Sequence, residues 1–481
     1  MTTAKRSSRR GISSRSTLQR AKQAHTVSGA PAAGKPSTHN VKPGDSAPTK
    51  VPSAIGLRVR MFRVGFGDFF LLSVPTRKGA SHILIDCGVH SRDLGSIKDA
   101  VAQMAQDCGH RLALVIMTHR HADHISGFAT CSDIFSQITV ERVWMPQFED
   151  PSNDKAIKFQ ASLTALATRL GSRLRLAARS DAKKEELLLM AENITGGLGA
   201  DGGASSNQKA LNVLQTGFNN KPEHDYYKAG DPPTLPQDLL EAGLTAQILG
   251  PPIDESLILQ MTNKNQQYLS GASEEDDGEP ISPFPDAFRA RYGDYPTAAF
   301  DLYGADEIVR MIDSARPDAL AAQAAAADKT LNNQSLVVLF SFAGKNLLFA
   351  GDAQWGNWEN FLYGGAYGTP GHTELTERAK GILNKIDFYK VGHHGSANAT
   401  PKDAVTAMRL GCVGMCSTQI HAYNEVPREP LLQALRSRMN GQLARSDQVA
   451  IGPKEKENPD AGPLPSLFKK PTGTLFIDYE F

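Results

Sequence analysis

The run Leu112-Ala-Leu-Val-Ile-Met117 is short, apolar and rich in branched residues, and it ends abruptly in Thr118-His119-Arg120-His121-Ala122-Asp123-His124. A bounded apolar run of this length reads as a buried strand. A strand that ends in three histidines and an aspartate within six residues delivers metal ligands to the lip of a sheet. Imidazole and carboxylate suit zinc, manganese or iron, and a catalytic centre clusters them while leaving a position for water. The bland alternative is a polar loop that happens to be rich in histidine. With 13 histidines in 481 residues, three in one hexapeptide argue against chance, and the strand-then-helix context favours the metal.

Other short strands end in the same way. His82-Ile-Leu-Ile-Asp-Cys-Gly88 closes on Asp86, Leu347-Leu-Phe-Ala350 on Gly351-Asp352, and Phe388-Tyr-Lys-Val391 on Gly392-His393-His394-Gly395-Ser396. The patterning also predicts strands at 57–62, 69–74, 140–145, 244–249, 335–342, 412–417 and 474–479, with a turn from Pro75 to Ala80. Helices are predicted at 96–106, 374–384, 401–408 and 430–440. Polar groups at strand ends converge on one edge of a layered sheet, where ligand sites are commonly built. Buried carboxylates and imidazoles there must be paired or metal-bound, because desolvation is costly.

These stretches, in this order, resemble the metallo-β-lactamase-fold hydrolases. Within them the chain is most similar to the metallo-hydrolase domain of the ComEC/Rec2 competence proteins and its stand-alone relatives. The matching segments are Val64-Gly-Phe-Gly-Asp68, Ile83-Leu-Ile-Asp-Cys-Gly88, His119-Arg-His-Ala-Asp-His124 with Ser126-Gly127, Asn333-Gln-Ser335, Leu348-Phe-Ala-Gly-Asp352 and Lys390-Val-Gly-His-His-Gly-Ser396. The resemblance covers 57–148, 244–252 and 332–425. It implies an α/β fold, a four-layer αββα sandwich, holding two divalent ions, zinc first and manganese second. His119 and His121 would hold one ion, Asp123 and His124 the other, and Asp352 would bridge them. His394 would complete the second ion's shell, with Asp123 also orienting the nucleophile and His393 facing substrate as general acid. Asp86, Asn333 and Ser335 would stand behind the ligands as hydrogen-bond partners.

Two departures matter. Most relatives supply a third histidine to the first ion, where this chain has Asn332-Asn333-Gln334-Ser335. At Ser417-Thr-Gln-Ile-His-Ala-Tyr-Asn424, His421 and Asn424 keep residue types that relatives show but not their spacing. His82, His90, His110, His224 and His372 stand singly, and a lone histidine is more often a hydrogen-bonded side chain than a ligand.

The implied activity is metal-dependent hydrolysis of a phosphodiester, since paired ions activate water and suit in-line displacement at phosphorus. A carboxylic-ester, lactone or amide hydrolase on the same ions is the alternative enzyme, because a fold does not choose a substrate. A partner-regulated, non-catalytic module is the alternative outside enzymes, its protein partner bound by the helical insertions expected at 150–242 and 253–331.

Residues 1–54 carry Arg6, Arg9, Arg10, Arg15, Arg20 and Lys22 against one acid, Asp45, and too few apolar residues to order. A disordered basic tail is expected, solvated or acting as a weak arm for nucleic acid. The net charge of +1 gives no global sign of such a partner. Five cysteines, an odd number without a zinc-knuckle spacing, point to buried thiols in a reducing compartment. No stretch approaches the roughly 20 apolar residues of a membrane span, and no apolar core follows the N-terminal basic residues. A cytoplasmic protein is expected, with an organelle transit peptide the lesser alternative.

Overall fold

The first strands of the chain are set by strict alternation. In Phe69–Thr76, Phe70, Leu72 and Val74 enter one apolar cluster, while Phe69 and Leu71 enter another on the opposite face. A computed structural model describes residues 56–90, 95–161, 164–165, 205–268, 330–419, 426–448, 463–469 and 475–481. The span Pro52–Phe481 forms one compact unit. The expected basic tail, the acidic patch at Glu274–Asp277, the glycine loop at Gly196–Gly203, His421, Asn424 and most of the proposed insertion helices lie outside the described residues.

The fold is mixed α/β with two sheets. The first sheet has the order β13-β14-β1-β2-β3-β4-β5-β6. Its strands are β1 (Arg58–Phe62), β2 (Phe69–Thr76), β3 (Gly79–Cys87), β4 (Arg111–Ile116), β5 (Thr139–Pro146), β6 (Glu223–Tyr227), β13 (Phe468–Lys469) and β14 (Phe476–Glu480). The second runs β12-β11-β10-β9-β8-β7, from β7 (Thr245–Gly250), β8 (Val337–Phe342), β9 (Lys345–Phe349), β10 (Phe388–Lys390), β11 (Val413–Cys416) and β12 (Leu443–Arg445). Strands β3 to β6 are mutually parallel, as are β9 to β12.

Three apolar clusters hold these elements together. Val59, Phe70, Ile85, Ile116 and Trp144 of the first sheet share a cluster with Ile248, Phe340, Phe349 and Met415 of the second. Trp144 lies 6.4 Å from Phe340 and Phe70 lies 6.2 Å from Phe349, ring to ring across the two sheets. The other face of the first sheet meets α1 (Ile97–Asp107), α2 (Ala122–Thr130), α3 (Ser132–Phe135) and α4 (Ser206–Thr216). The other face of the second sheet meets the helices Trp355–Tyr363, Glu377–Leu383, Lys402–Ala407 and Glu429–Arg438. Each fully buried Leu, Ile or Phe in such a cluster contributes about 1.5–3 kcal/mol.

Two expectations are corrected here. Pro75 does not open a turn. It lies inside β2 opposite Ala80, and the chain reverses at Arg77-Lys78. A proline is tolerated near a strand end, where the ladder needs no donor from it. The stretch 150–242 is not purely helical either, because β6 lies within it and pairs parallel with β5. Ser96 and Thr376 cap α1 and the helix Glu377–Leu383, accepting from Asp99 N and Ala379 N, both at 3.2 Å. All five cysteines are free and buried, as expected. Among the described residues no helix is long and apolar enough to cross a membrane.

Candidate metal centre

In an open α/β sheet, ligands gather at the carboxyl ends of parallel strands. Here Asp86 stands in the last pleat of β3, β4 leads to Thr118–His124, β9 leads to Asp352 and β10 to His393-His394. The two sheets meet at this edge, where Leu336 N donates to Thr118 O at 2.9 Å.

Close packing holds the histidine loop. The first turn of α2 rests against the end of β3, where a Cβ on Gly88 would stand 2.4 Å from Asp123 C and His124 N. Ser126 Oγ accepts from Val89 N at 3.0 Å and donates to Val89 O at 2.9 Å. Asp68 N donates to Asp123 O at 2.8 Å. On the other side Arg120 makes a buried, two-pronged ion pair with Glu149, Nε to Oε1 at 2.8 Å and Nη2 to Oε2 at 2.5 Å. Asn207 Nδ2 of α4 donates to Arg120 O at 2.9 Å.

Asp123, His124, Asp352 and His394 converge, with one ligand atom from each lying within 4.8 Å of all the others. His124 Nε2 is 3.2 Å from Asp352 Oδ2 and 4.0 Å from Asp123 Oδ2. His394 Nε2 is 3.0 Å from Asp123 Oδ2 and 3.5 Å from Asp352 Oδ2. Ligands on a tetrahedral zinc, bonded at about 2.0–2.1 Å, stand roughly 3.3 Å apart, and these spacings straddle that value.

The hydrogen bonds behind the rings make the same point. Asp86 Oδ2 accepts from His124 Nδ1 at 2.7 Å, and Ser417 O accepts from His394 Nδ1 at 2.8 Å. Each neutral ring has then spent its N–H, so each Nε2 turns a lone pair toward a carboxylate. Lone pair facing carboxylate is tolerable only with a cation between them, either a proton on the ring or a metal ion. His124 Nε2, fully buried, makes no well-angled hydrogen bond. The residues present therefore fit a metal ion.

Burial lowers the pKa of His124, but the carboxylates of Asp352, Asp86, Asp68 and Asp123 outweigh it and hold the ring well above the usual imidazole value. His394 is raised in the same way, against its burial, by Asp352, Asp123 and Asp68. Burial raises the Asp123 carboxyl, yet His124 and His394 bring it below the ordinary range.

His119 and His121 stand beside this cluster rather than in it. Their Nε2 and Nδ1 atoms are 3.1 Å apart, and the His119 ring lies 4.1 Å from that of His124. Thr118 Oγ1 gives its own proton to Asp86 Oδ2 at 2.6 Å and accepts from His119 Nδ1 at 3.2 Å. That leaves the His119 Nε2 lone pair facing His121. Burial and the neighbouring rings of His124 and His121 push the His119 pKa well below normal, which keeps it neutral.

Of the residues expected behind the ligands, Asp86 and Ser335 are there. Asp86 also accepts from Thr118 N at 2.8 Å. Ser335 Oγ accepts from Asp352 N at 2.9 Å and lies 3.4 Å from His119 Nδ1. Asn333 is not. Its Oδ1 accepts from Gln354 N and Asn357 N at the start of the helix Trp355–Tyr363, and its Nδ2 donates to Ile258 O and Gln260 O. His393 lies at the rim, its side chain 24% exposed, with Nδ1 3.2 Å from Asn398 Oδ1 and Nε2 3.4 Å from Asn332 Nδ2. Asp352 turns only Oδ2 to the imidazoles, for Oδ1 accepts from His393 N at 3.1 Å.

Sequence reasoning missed the charged groups under the centre. Lys390, buried in β10, pairs with Asp68, and both adjoin the ligands. Both stand in segments that carry the resemblance, and the further sign was a lysine inside an apolar strand. Three of the unassigned histidines fit their bland explanation: His82 meets Ser73 Oγ, His224 meets Leu214 O and His372 meets Tyr363 O. An open cavity lined by His110, Arg111, Thr139 and Glu141 lies at the opposite end of β4 from the histidines.

No protein-family model matches this chain, and no curated protein matches its sequence.

Proposed function

We propose that this chain is a metal-dependent hydrolase built on a four-layer αββα sandwich of the metallo-β-lactamase type, acting on a phosphodiester. The observation that carries it is the convergence of Asp123, His124, Asp352 and His394, with both Nε2 atoms facing carboxylates. The layering is supported by the three apolar clusters, one between the sheets and one under each set of helices.

Asp123, His124, Asp352 and His394 would hold one divalent ion, zinc or manganese, and His119 with His121 would contribute to a second. When bound, such ions supply Lewis acidity and lower the pKa of water. The protein's own share is orientation. Asp86 and Ser417 O hold the two rings by their Nδ1 atoms, and Ser335 fixes Asp352 through its backbone N–H. Asp123, 15% exposed, lies on the open side, where it would orient the attacking group. His393 lies at the rim with Nδ1 against Asn398 Oδ1, and as the imidazolium it would offer its Nε2–H to the leaving group. Five buried thiols suit a cytoplasmic setting.

The test combines metal analysis of the purified chain with turnover of bis(p-nitrophenyl) phosphate and single-stranded DNA in Mn²⁺ or Zn²⁺. His394→Ala and Asp352→Ala are expected to lose both metal and turnover, and His393→Ala to lose turnover but keep metal. Activity that survives the first two substitutions sinks the assignment. Turnover of lactones with none of phosphodiesters would transfer it to carboxylic esters.

A further inference from the structure

Two segments that stand out in the sequence, Val64–Asp68 and Lys390–Ser396, carry charged residues that the ligand set leaves unused, and these meet. Lys390 is 2% exposed in β10, between apolar neighbours. Its Nζ donates to Gly351 O at 3.0 Å, pairs with Asp68 Oδ2 and stands 3.6 Å from Asp352 Oδ1. Asp68, 1% exposed, lies 3.7 Å from Nδ1 of both His124 and His394. A buried ion pair seldom adds stability over an apolar pair of the same shape, so its presence calls for another reason.

The surroundings supply one. Asp68, Asp86 and His124 form a second group whose ligand atoms lie within 4.8 Å of one another. Lys390 already occupies Asp68, and Asp86 spends both oxygens on Thr118 and His124. The ammonium thus fills ground where an ion would otherwise compete for His124. It also sits on the Oδ1 side of Asp352, opposite the imidazoles.

We propose that the Lys390–Asp68 pair is the positioning element of the metal centre. Lys390 keeps Asp352 Oδ1 turned away from the cleft, so that Oδ2 faces His124 and His394, and Asp68, 3.7 Å from the Nδ1 atoms that Asp86 and Ser417 O hold, sets its charge behind both rings. This rests on the reading of the centre as a metal site.

The test measures Zn²⁺ affinity of the full chain by competition with a chromophoric chelator, alongside urea unfolding of the metal-free protein. Lys390→Met alone is expected to lose stability and affinity together, because it leaves Asp68 buried and unpaired. The double variant Lys390→Met/Asp68→Asn buries no lone charge and is expected to regain most of the stability. Its Zn²⁺ affinity is nevertheless expected to stay about 10- to 100-fold weaker, the usual cost of removing partners behind metal ligands. A double variant that binds Zn²⁺ like the wild type overturns the inference and leaves the metal reading intact. A wild-type chain that takes up no Zn²⁺ overturns the metal reading itself, and this inference with it. Should the lysine variants not fold, Asp68→Asn, which keeps the side-chain shape and leaves Lys390 with Gly351 O and Asp352, carries the affinity comparison, with its unfolding in chelator reading the separate cost of the unpaired ammonium.

Discussion

Replacing Asp86 by asparagine separates the stability of this centre from its ability to bind. The carboxylate accepts three hydrogen bonds, from Thr118 N at 2.8 Å, Thr118 Oγ1 at 2.6 Å and His124 Nδ1 at 2.7 Å. Its backbone sits at φ 54°, a conformation that asparagine also adopts readily. With the amide oxygen kept on Thr118 N, the new NH₂ faces Thr118 Oγ1 and His124 Nδ1. The threonine hydroxyl turns to accept. His124 accepts only by moving its proton to Nε2, the atom aimed at Asp352. The hydrogen bonds are kept but lose their charged partner, at a cost of about 1.5–3 kcal/mol in all. The metal, by contrast, loses a ligand lone pair, and its affinity should fall about 10- to 100-fold. Asp86→Ala instead leaves two buried N–H donors unanswered, at about 1–3 kcal/mol each. It also places a residue with no helpful side chain in the left-handed region, for roughly 1 kcal/mol more. Urea unfolding in chelator should therefore rank wild type above Asp86→Asn above Asp86→Ala, while zinc competition finds both variants weak. An Asp86→Asn chain that binds zinc as tightly as wild type would falsify the tautomer argument.

The buried Arg120–Glu149 pair gives a second expectation. Arg120→Met should cost about 3–5 kcal/mol in urea unfolding, and adding Glu149→Leu should recover most of it; a single-variant loss below about 1 kcal/mol contradicts the pairing. Gly88→Ala pushes a Cβ to 2.4 Å from the backbone of Asp123 and His124. A loss of about 3 kcal/mol should accompany weaker metal uptake, and a melting temperature unchanged in chelator would refute the close approach. For pH, the raised folded-state values of His124 and His394 stabilise the metal-free chain fully below the unfolded imidazole value of 6.5, and that stability is lost as pH rises through the folded values. The urea midpoint in chelator should fall as pH rises above 6.5 through the raised values of His124 and His394, and the extra stability given by metal should grow over the same interval because binding displaces those protons. A midpoint in chelator that rises there would contradict the sign.

The candidate site was readable because of where its residues stand in the chain. Asp86, His119, Asp352 and His394 each come at or just after the end of a short apolar run, and a carboxylate or imidazole in that place belongs at the rim of a sheet. Lys390 gave no such sign, since it lies within its strand and its partner Asp68 is more than three hundred residues away. Glu149 was hidden differently: it lies in the single turn Gln147–Glu149 after β5, and only the fold brings it against Arg120. Asn333 was misplaced because residue type alone does not say which donors an amide will answer; the first N–H groups of the helix Trp355–Tyr363 claimed it. Strand β6, Glu223-His-Asp-Tyr-Tyr227, has no apolar alternation because it is the half-exposed edge of its sheet. Long-range pairing, rather than local pattern, made it a strand.

Asp123 and His124 hang from the first sheet, Asp352 and His394 from the second, with over two hundred residues of chain between the two pairs. An ion held by all four would be a clasp between the halves of the fold. Closing so long a loop is entropically costly for an open chain, though the cost grows only slowly with length. Once both sheets have formed, however, the clasp makes neither half free to open without breaking the ligand set. Metal uptake would then tie the unfolding of the two sheets into a single event, and its removal would let each loosen on its own.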